Sequence, residues 1–381
     1  MTVMAGTAIS PTLPKIQDFF GISAGDPREL QVKLLLTLPS LFTALGGVFS
    51  GVIIDRFGRK WPLVLAILLY GVAGCSGLWL DNLRLMLVGR AGLGIAVAMI
   101  TTASAALIAD YFDGPKRIRV MGLQAAAMGL GGVFFLLLGG AAATYSWRLP
   151  FWIYALAFAV FPLVLQLEEP DRRQHPQRAS DAVDNRQLSV VTIGAIYSLT
   201  IVTMMIFYMV PVQVPFLIQE QGFGGSWEAG VAVALCTLAS ALASLLYARL
   251  KANLSFSKVL MCLFFFLASG YGVLAHAPNY PILVLGLILA GVGVGLALPN
   301  MNVWINAKVS PASRGKVLGG LTTCLFLGQF CSPLAARPLI QMVGLSSTYT
   351  IAADCLVLLG LAIAIKIGLT TASVRPRTQL H

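Results

Sequence analysis

Residues 33–60 read KLLLTLPSLFTALGGVFSGVIIDRFGRK, and the change of character at Asp55 sets the architecture of the chain. From Leu34 to Ile54 no side chain carries a charge. Coiled as a helix at about 1.5 Å per residue, that stretch spans about 30 Å, the thickness of a bilayer's hydrocarbon core. Asp55, Arg56, Arg59 and Lys60 then crowd around Gly58, and apolar sequence resumes at Trp61. An apolar run, a basic turn and a second apolar run describe two membrane helices joined by a loop in water.

The pattern continues outward in both directions. Apolar segments fall at 1–14, 33–54, 61–80, 83–109, 118–144 and 149–167, and again at 189–213, 227–248, 258–276, 281–307, 317–342 and 346–369. Of the 381 residues, 57% are hydrophobic and 11% charged, against about 25% charged in soluble domains. Mean hydropathy is +0.83. Too little polar sequence is present to cover a water-facing surface, so lipid is the solvent for most of the chain. Backbone groups in lipid must bond internally, which leaves helices or a closed barrel. Runs of about 20 residues, rather than alternating strands of about ten, select helices. The expected fold class is an all-α polytopic membrane protein of twelve segments.

The net charge of +11 does not point to nucleic acid, because its distribution follows the loops. Nineteen of the 26 Lys and Arg lie on the side of the central polar stretch and the C-terminus, and five on the other side; Arg90 and Arg337 lie within segments. The positive-inside rule places the central loop and the C-terminus in the cytoplasm, in a bacterial inner membrane. Cys75, Cys236, Cys262, Cys324, Cys331 and Cys355 all fall in apolar segments without metal-ligand spacing, and read as small core residues. His175, His276 and His381 lie in loops or at the terminus, so no histidine cluster is available for a metal or a base. No G-x-x-x-x-G-K-[ST] loop is present, so nucleotide-driven pumping is not indicated. The chain shows no basic region ahead of an apolar core and a small-residue cleavage site, so no cleavable leader is expected.

An internal repeat is visible. Gly74–Gln124 resembles Gly272–Leu321 at an offset of about 198 residues, each passing from a Gly-rich segment through a basic loop into another Gly-rich segment. Parallel six-helix halves enclosing a cavity are a known transporter architecture. The expected divisions are an N-terminal bundle over 1–167, a linker over 168–188, a C-terminal bundle over 189–370 and a tail over 371–381. The first segment is short: 14 residues give about 21 Å of helix against a core of about 30 Å. The expectation is a native chain that begins about 15 to 25 residues earlier.

The stretch Gly51-Val-Ile-Ile-Asp55-Arg56-Phe-Gly58-Arg59-Lys60 closely resembles the signature of the major facilitator superfamily between helices 2 and 3, G-x-x-x-D-R-x-G-R-[RK]. The physics is readable in it. Gly51 permits close helix approach, Gly58 a tight turn, and Asp55 can face the positive N-terminal end of another helix. The resemblance implies that helix 11 is that partner, and that Asp55 and Arg59 form a charge relay with the acid closing segment 4, here Asp110. It also implies the major facilitator fold, two pseudo-symmetric six-helix bundles around a central cavity. Arg90-Ala-Gly-Leu-Gly94 resembles the family's second motif, with Leu93 in place of the usual Gln. Gly131, Gly132, Gly139 and Gly140, followed by Trp147-Arg148, resemble the fifth helix of the twelve-helix drug:proton antiporter branch. Phe135-Leu136 stands where that branch carries Gly-Pro.

Charges inside membrane helices are costly and default to function. Arg90, Arg337 and Asp354 are therefore coupling candidates, and equal depth from one face suggests an Arg337–Asp354 pair. Helical spacing nominates Gln124 with Met128, Tyr197 with Met204 and Tyr208, and Asn300 with Trp304 as cavity residues. The function expected is alternating-access secondary transport: proton-coupled efflux of a small amphipathic or drug-like compound, without a cofactor, by a monomer in the bilayer. Import of a neutral nutrient is the alternative within that class, and a non-transporting receptor or scaffold lies outside it.

Overall fold

The computed structural model describes residues 4–23, 25–168, 190–310 and 313–373. Among them the chain is all helix. We number twelve segments in chain order. α1 covers residues 4–19, as Met4–Thr7, a tight turn at Ser10–Thr12 and Leu13–Phe19. Then come α2 (Glu29–Phe57), α3 (Lys60–Leu78), α4 (Leu83–Tyr111), α5 (Gly114–Tyr145) and α6 (Leu149–Leu165). The second set is α7 (Val190–Glu220), α8 (Ser226–Asn253), α9 (Phe256–Ala275), α10 (Tyr280–Ala307), α11 (Arg314–Val343) and α12 (Leu345–Ser373). Ten of these are long and apolar enough to cross a membrane; α6 is shorter.

Several boundaries lie beyond the apolar runs, and three have a visible local reason. α2 begins at Glu29 rather than 33, because the Glu29 carboxylate suits a helix N-terminus and Lys33 Nζ donates to its Oε1 at 2.6 Å, one turn on. Lys33 is thus a helix residue and is buried, not a loop cation. α1 continues past Lys15, whose Nζ donates to the terminal carbonyls of α5 at Ala143 and Thr144. α7 runs to Glu220 through Pro211 and Pro215.

Prolines free the carbonyls four residues earlier, and α7 shows how the fold uses them. The carbonyl of Pro211, orphaned by Pro215, accepts the hydroxyl of Ser10 on α1. Beside the break at Tyr208, the carbonyls of Ile206 and Met209 accept Tyr271 and Tyr349, whose rings meet edge to face at 5.2 Å. Hydroxyls from other helices thus bond α7 carbonyls around its two prolines.

Apolar residues form two cores. One draws on α1–α6 with Tyr208 and Val212; the other draws on α7–α12 with Leu136. The exchanged residues mark the interface. There α2 meets α11, and α5 meets α8, as antiparallel pairs.

Candidate functional site

The two interfaces close at one end only. Call the end holding Phe57, Tyr111, Leu165 and Val190 the linker face, and the other the far face. Towards the far face α5 presses Gly139 against the Ala8 carbonyl of α1; a Cβ there would lie 2.2 Å from that oxygen. Gly140 faces Gly230 of α8 just as closely, with 3.0 Å from an added Cβ to the Gly230 Cα. On the other pair, Ser40 of α2 donates to Gln329 of α11 at 2.8 Å. Eleven residues, or three turns, beyond Ser40 lies Gly51, where an added Cβ would meet nothing within 4 Å. Gly47, Gly122, Gly315 and Gly319 are equally open. The halves are packed together around mid-depth, beneath the far-face surface, and parted at the linker face.

The Gly51–Lys60 signature sits at the parted end. Gly58 takes φ +87°, the left-handed region that glycine tolerates, and so turns α2 into α3. Arg59 Nε donates to Asp110 Oδ2 at 2.8 Å, joining the turn to the end of α4. Asp55 is exposed, Arg56 lies over the Phe57 ring at 5.5 Å, and Lys60 opens α3.

The three charges expected within helices lie apart. Arg90 is fully buried inside the N-terminal half. It donates to the Tyr154 hydroxyl at 3.0 Å and stands over the Phe151 and Tyr154 rings at 4.7 and 5.0 Å, while Nε and Nη2 find no partner. The aromatic faces hold the cation where no carboxylate does. Arg337 and Asp354 do not pair. Asp354 is exposed on the face of α12 that also shows Leu358, Leu361 and Ile365. Arg337 lies on α11 one turn before Ile340 and Gln341, with a buried and unpartnered Nε. Equal depth places two residues at one level; it does not place them on facing sides of their helices.

Of the cavity candidates, Tyr208 alone reaches the middle of the interface. Its hydroxyl stands against Gly6 of α1 and bonds Ser40 of α2. Tyr197 and Met204 pack over Gly320 and Gly328 of α11, and Tyr197 donates to the Val317 carbonyl. Asn300 is buried in the C-terminal half between Tyr247 and the Phe256 carbonyl, and Trp304 stacks on Phe256 at 5.7 Å. Gln124 and Met128 line a crevice of about 500 Å³ among α3, α4, α5 and α6, beside Thr101 and Ser104.

A larger pocket, about 750 Å³, opens between the halves at the far face. Glu29, Lys33, Gln213 and Phe216 line it, from α2 and α7. Reading Lys33 as a loop residue hid this cluster. The usable signal was the spacing of Glu29 and Lys33, a favourable acid-to-base step of four on a helix.

Two sets of helices that meet at one end and part at the other can exchange which end is open, carrying a solute between them. Comparison with known proteins agrees: the sequence profile of the Major Facilitator Superfamily matches residues 1–251 and 196–379. The chain belongs to the Major Facilitator Superfamily. It is a multi-pass integral membrane protein and a secondary transporter of a small molecule, not an enzyme. Among facilitator relatives, the Multidrug efflux protein YfmO of Bacillus subtilis is 24% identical over 90% of this chain and 84% of its own. The class C tetracycline resistance protein of Escherichia coli is 28% identical over 86% and 83%. The crystal structure of a D-xylose-proton symporter shares the facilitator fold with a TM-score of 0.77, at 16% identity over 95% of this chain and 94% of the other.

Proposed function

We propose that this transporter exports a small amphipathic compound in exchange for protons, with its linker face in the cytoplasm of a bacterial inner membrane. The observation that carries the reading is the one-sided parting of the halves. The open end is the end where Lys and Arg are concentrated, the side expected to face the cytoplasm. A compound can then enter the cleft from inside the cell. Export is further supported by the efflux and resistance activities for which the two bacterial relatives are named.

In this reading the halves rock about the mid-depth contacts. As the linker face shuts, α11 comes down on Gly51, and Asp55, Arg56, Gly58, Arg59, Lys60 and Asp110 act as a latch. Of the residues nominated for the cleft, Tyr208 carries the proposal, because it alone reaches the middle of the interface. Arg90, Arg337 and Asp354 remain the proposed coupling groups, with most weight on Arg337 because its Nε is buried without a partner on a helix of the interface.

The test uses proteoliposomes with an acidic lumen and ethidium outside. Antiport predicts that inserted protein of the matching orientation accumulates dye as protons leave, and that nigericin abolishes the accumulation. Dye flux indifferent to the gradient, or driven only by an alkaline lumen, would overturn the reading.

A further inference from the structure

The far-face pocket is built unevenly, and the imbalance defines a ligand. Each oxygen of Glu29 accepts one bond: Oε1 from Lys33 at 2.6 Å and Oε2 from the Gly25 N–H at 3.1 Å. Lys33 is 3% exposed; one of its three protons bonds Glu29 and its Nζ stands 5.1 Å from the Phe216 ring centre, which leaves two N–H groups without an oxygen acceptor. Gln213 is 1% exposed, and neither its amide nitrogen nor its oxygen has a partner. Gln17 also leaves its oxygen buried and unbonded. Arg337 stands near with its Nε unpaired. Buried polar groups in native proteins are nearly always bonded, so the unbonded atoms of Gln213 and Gln17 in the wall of one pocket imply a guest that bonds them.

The charges say which guest. Deep in the pocket the one cation among the described lining residues, Lys33, stands beside Glu29, and Arg337 follows one turn behind the lining residues Ile340 and Gln341. At the mouth the sign reverses: Asp18 and Glu220 are both exposed and both line the opening. Between them lie the apolar faces of Phe216 and Ile340. We propose that this pocket binds a small zwitterion, its carboxylate against the unspent N–H groups of Lys33, its ammonium toward Asp18 and Glu220, and an apolar body beside Phe216 and Ile340. The amide of Gln213 can serve either pole. Walls from both halves make the pocket part of the transport route, so the inference deepens the export reading, on which it rests for the ligand's direction of travel.

Three probes of one shape test it: L-phenylalanine, L-phenylalaninamide without the carboxylate, and 3-phenylpropionate without the ammonium. Binding to the purified full chain is measured by isothermal titration. The expected result is saturable binding of L-phenylalanine, with each analogue at least tenfold weaker. In Glu29→Gln/Lys33→Gln, which removes both charges together, the preference for L-phenylalanine over its amide is lost. Gln213→Leu, a near-isosteric change, weakens all three probes. Inorganic phosphate at equal concentration leaves L-phenylalanine binding unchanged. No saturable binding, equal binding of either analogue, a preference that survives the double variant, or displacement by phosphate would overturn the proposal. The titration needs no gradient. Failure here with proton-driven dye flux intact removes the zwitterion site alone; the reverse pattern removes antiport alone.

Discussion

The far and linker ends of the interface are made from the same four helices, and glycine serves opposite purposes in them. In α5, Gly139 and Gly140 are consumed by packing, while Gly122, on the same helix nearer the linker face, touches nothing. In α2 the Ser40 hydroxyl is bonded across to α11, whereas Gly51 three turns on faces open space. A small residue with a neighbour is part of a finished contact. A small residue without one, on the same stripe of a helix, leaves room for a contact to form. The parted end is therefore as specified in sequence as the closed end, and the two should respond to substitution in opposite ways.

The largest contrast is expected within α5. Gly139→Val drives side-chain atoms into the backbone of Ala8, an overpacking that costs roughly 1–3 kcal/mol or more when neither backbone can yield. Thermal unfolding in detergent should show a large fall in Tm or loss of folded protein. Gly122→Ala should not lower Tm, since the added methyl meets nothing and alanine favours helix by about 1 kcal/mol over glycine. Equal losses from both would erase the distinction between the two ends.

Next in size is the buried pair at the far end. Lys33→Met strands the Glu29 carboxylate, and breaking a buried pair costs roughly 3 kcal/mol. Glu29→Gln/Lys33→Met should recover most of that loss in a double-mutant cycle by thermal unfolding. If the two changes simply add, the pair does not hold the far end.

At the linker end the expected effects fall on movement rather than stability. Gly51→Val should leave Tm unchanged, because space exists in this state. It should lower gradient-driven flux at least tenfold, because α11 could no longer close on α2. Unaltered flux would mean that the Gly51 stripe never becomes a contact. Smallest is Arg59→Gln: both partners of the Arg59–Asp110 pair are partly exposed, so its stability cost should stay below about 1 kcal/mol and shrink with salt. A larger fall in Tm would make that end structural.

Much of the fold was legible because lipid is a simple solvent. Runs such as 281–307 announce α10 by length alone, and the basic turn at Arg59 names the break between α2 and α3. Hydropathy failed where a helix outlasts its apolar run, as at Glu29–Lys33, or crosses prolines whose carbonyls find distant donors, as at Pro211 and Ser10. Depth along a helix was readable, but direction around it was not. α12 is apolar on every side in its membrane span, so periodicity could not tell that Asp354 shares the exposed face with Leu358. The same ambiguity sent Asn300 to a cavity, when it bonds Tyr247 and the Phe256 carbonyl inside the C-terminal half. Glycines were conspicuous in the sequence, yet only packing separates Gly139 from Gly122.

The central claim is that one end opens as the other closes. Paired spin labels can measure both ends in one preparation: Gly51→Cys with Thr322→Cys across α2 and α11 at the linker face, and Asp18→Cys with Gln219→Cys across α1 and α7 at the far face. The six native cysteines are first replaced. In proteoliposomes without a gradient, the far-face pair should be the closer of the two, since Asp18 and Gln219 already bond at 3.4 Å. When a pH gradient and transported ligand are supplied, the linker-face distance should shorten while the far-face distance lengthens. Distances that stay fixed, or that change together in the same direction, would contradict the account.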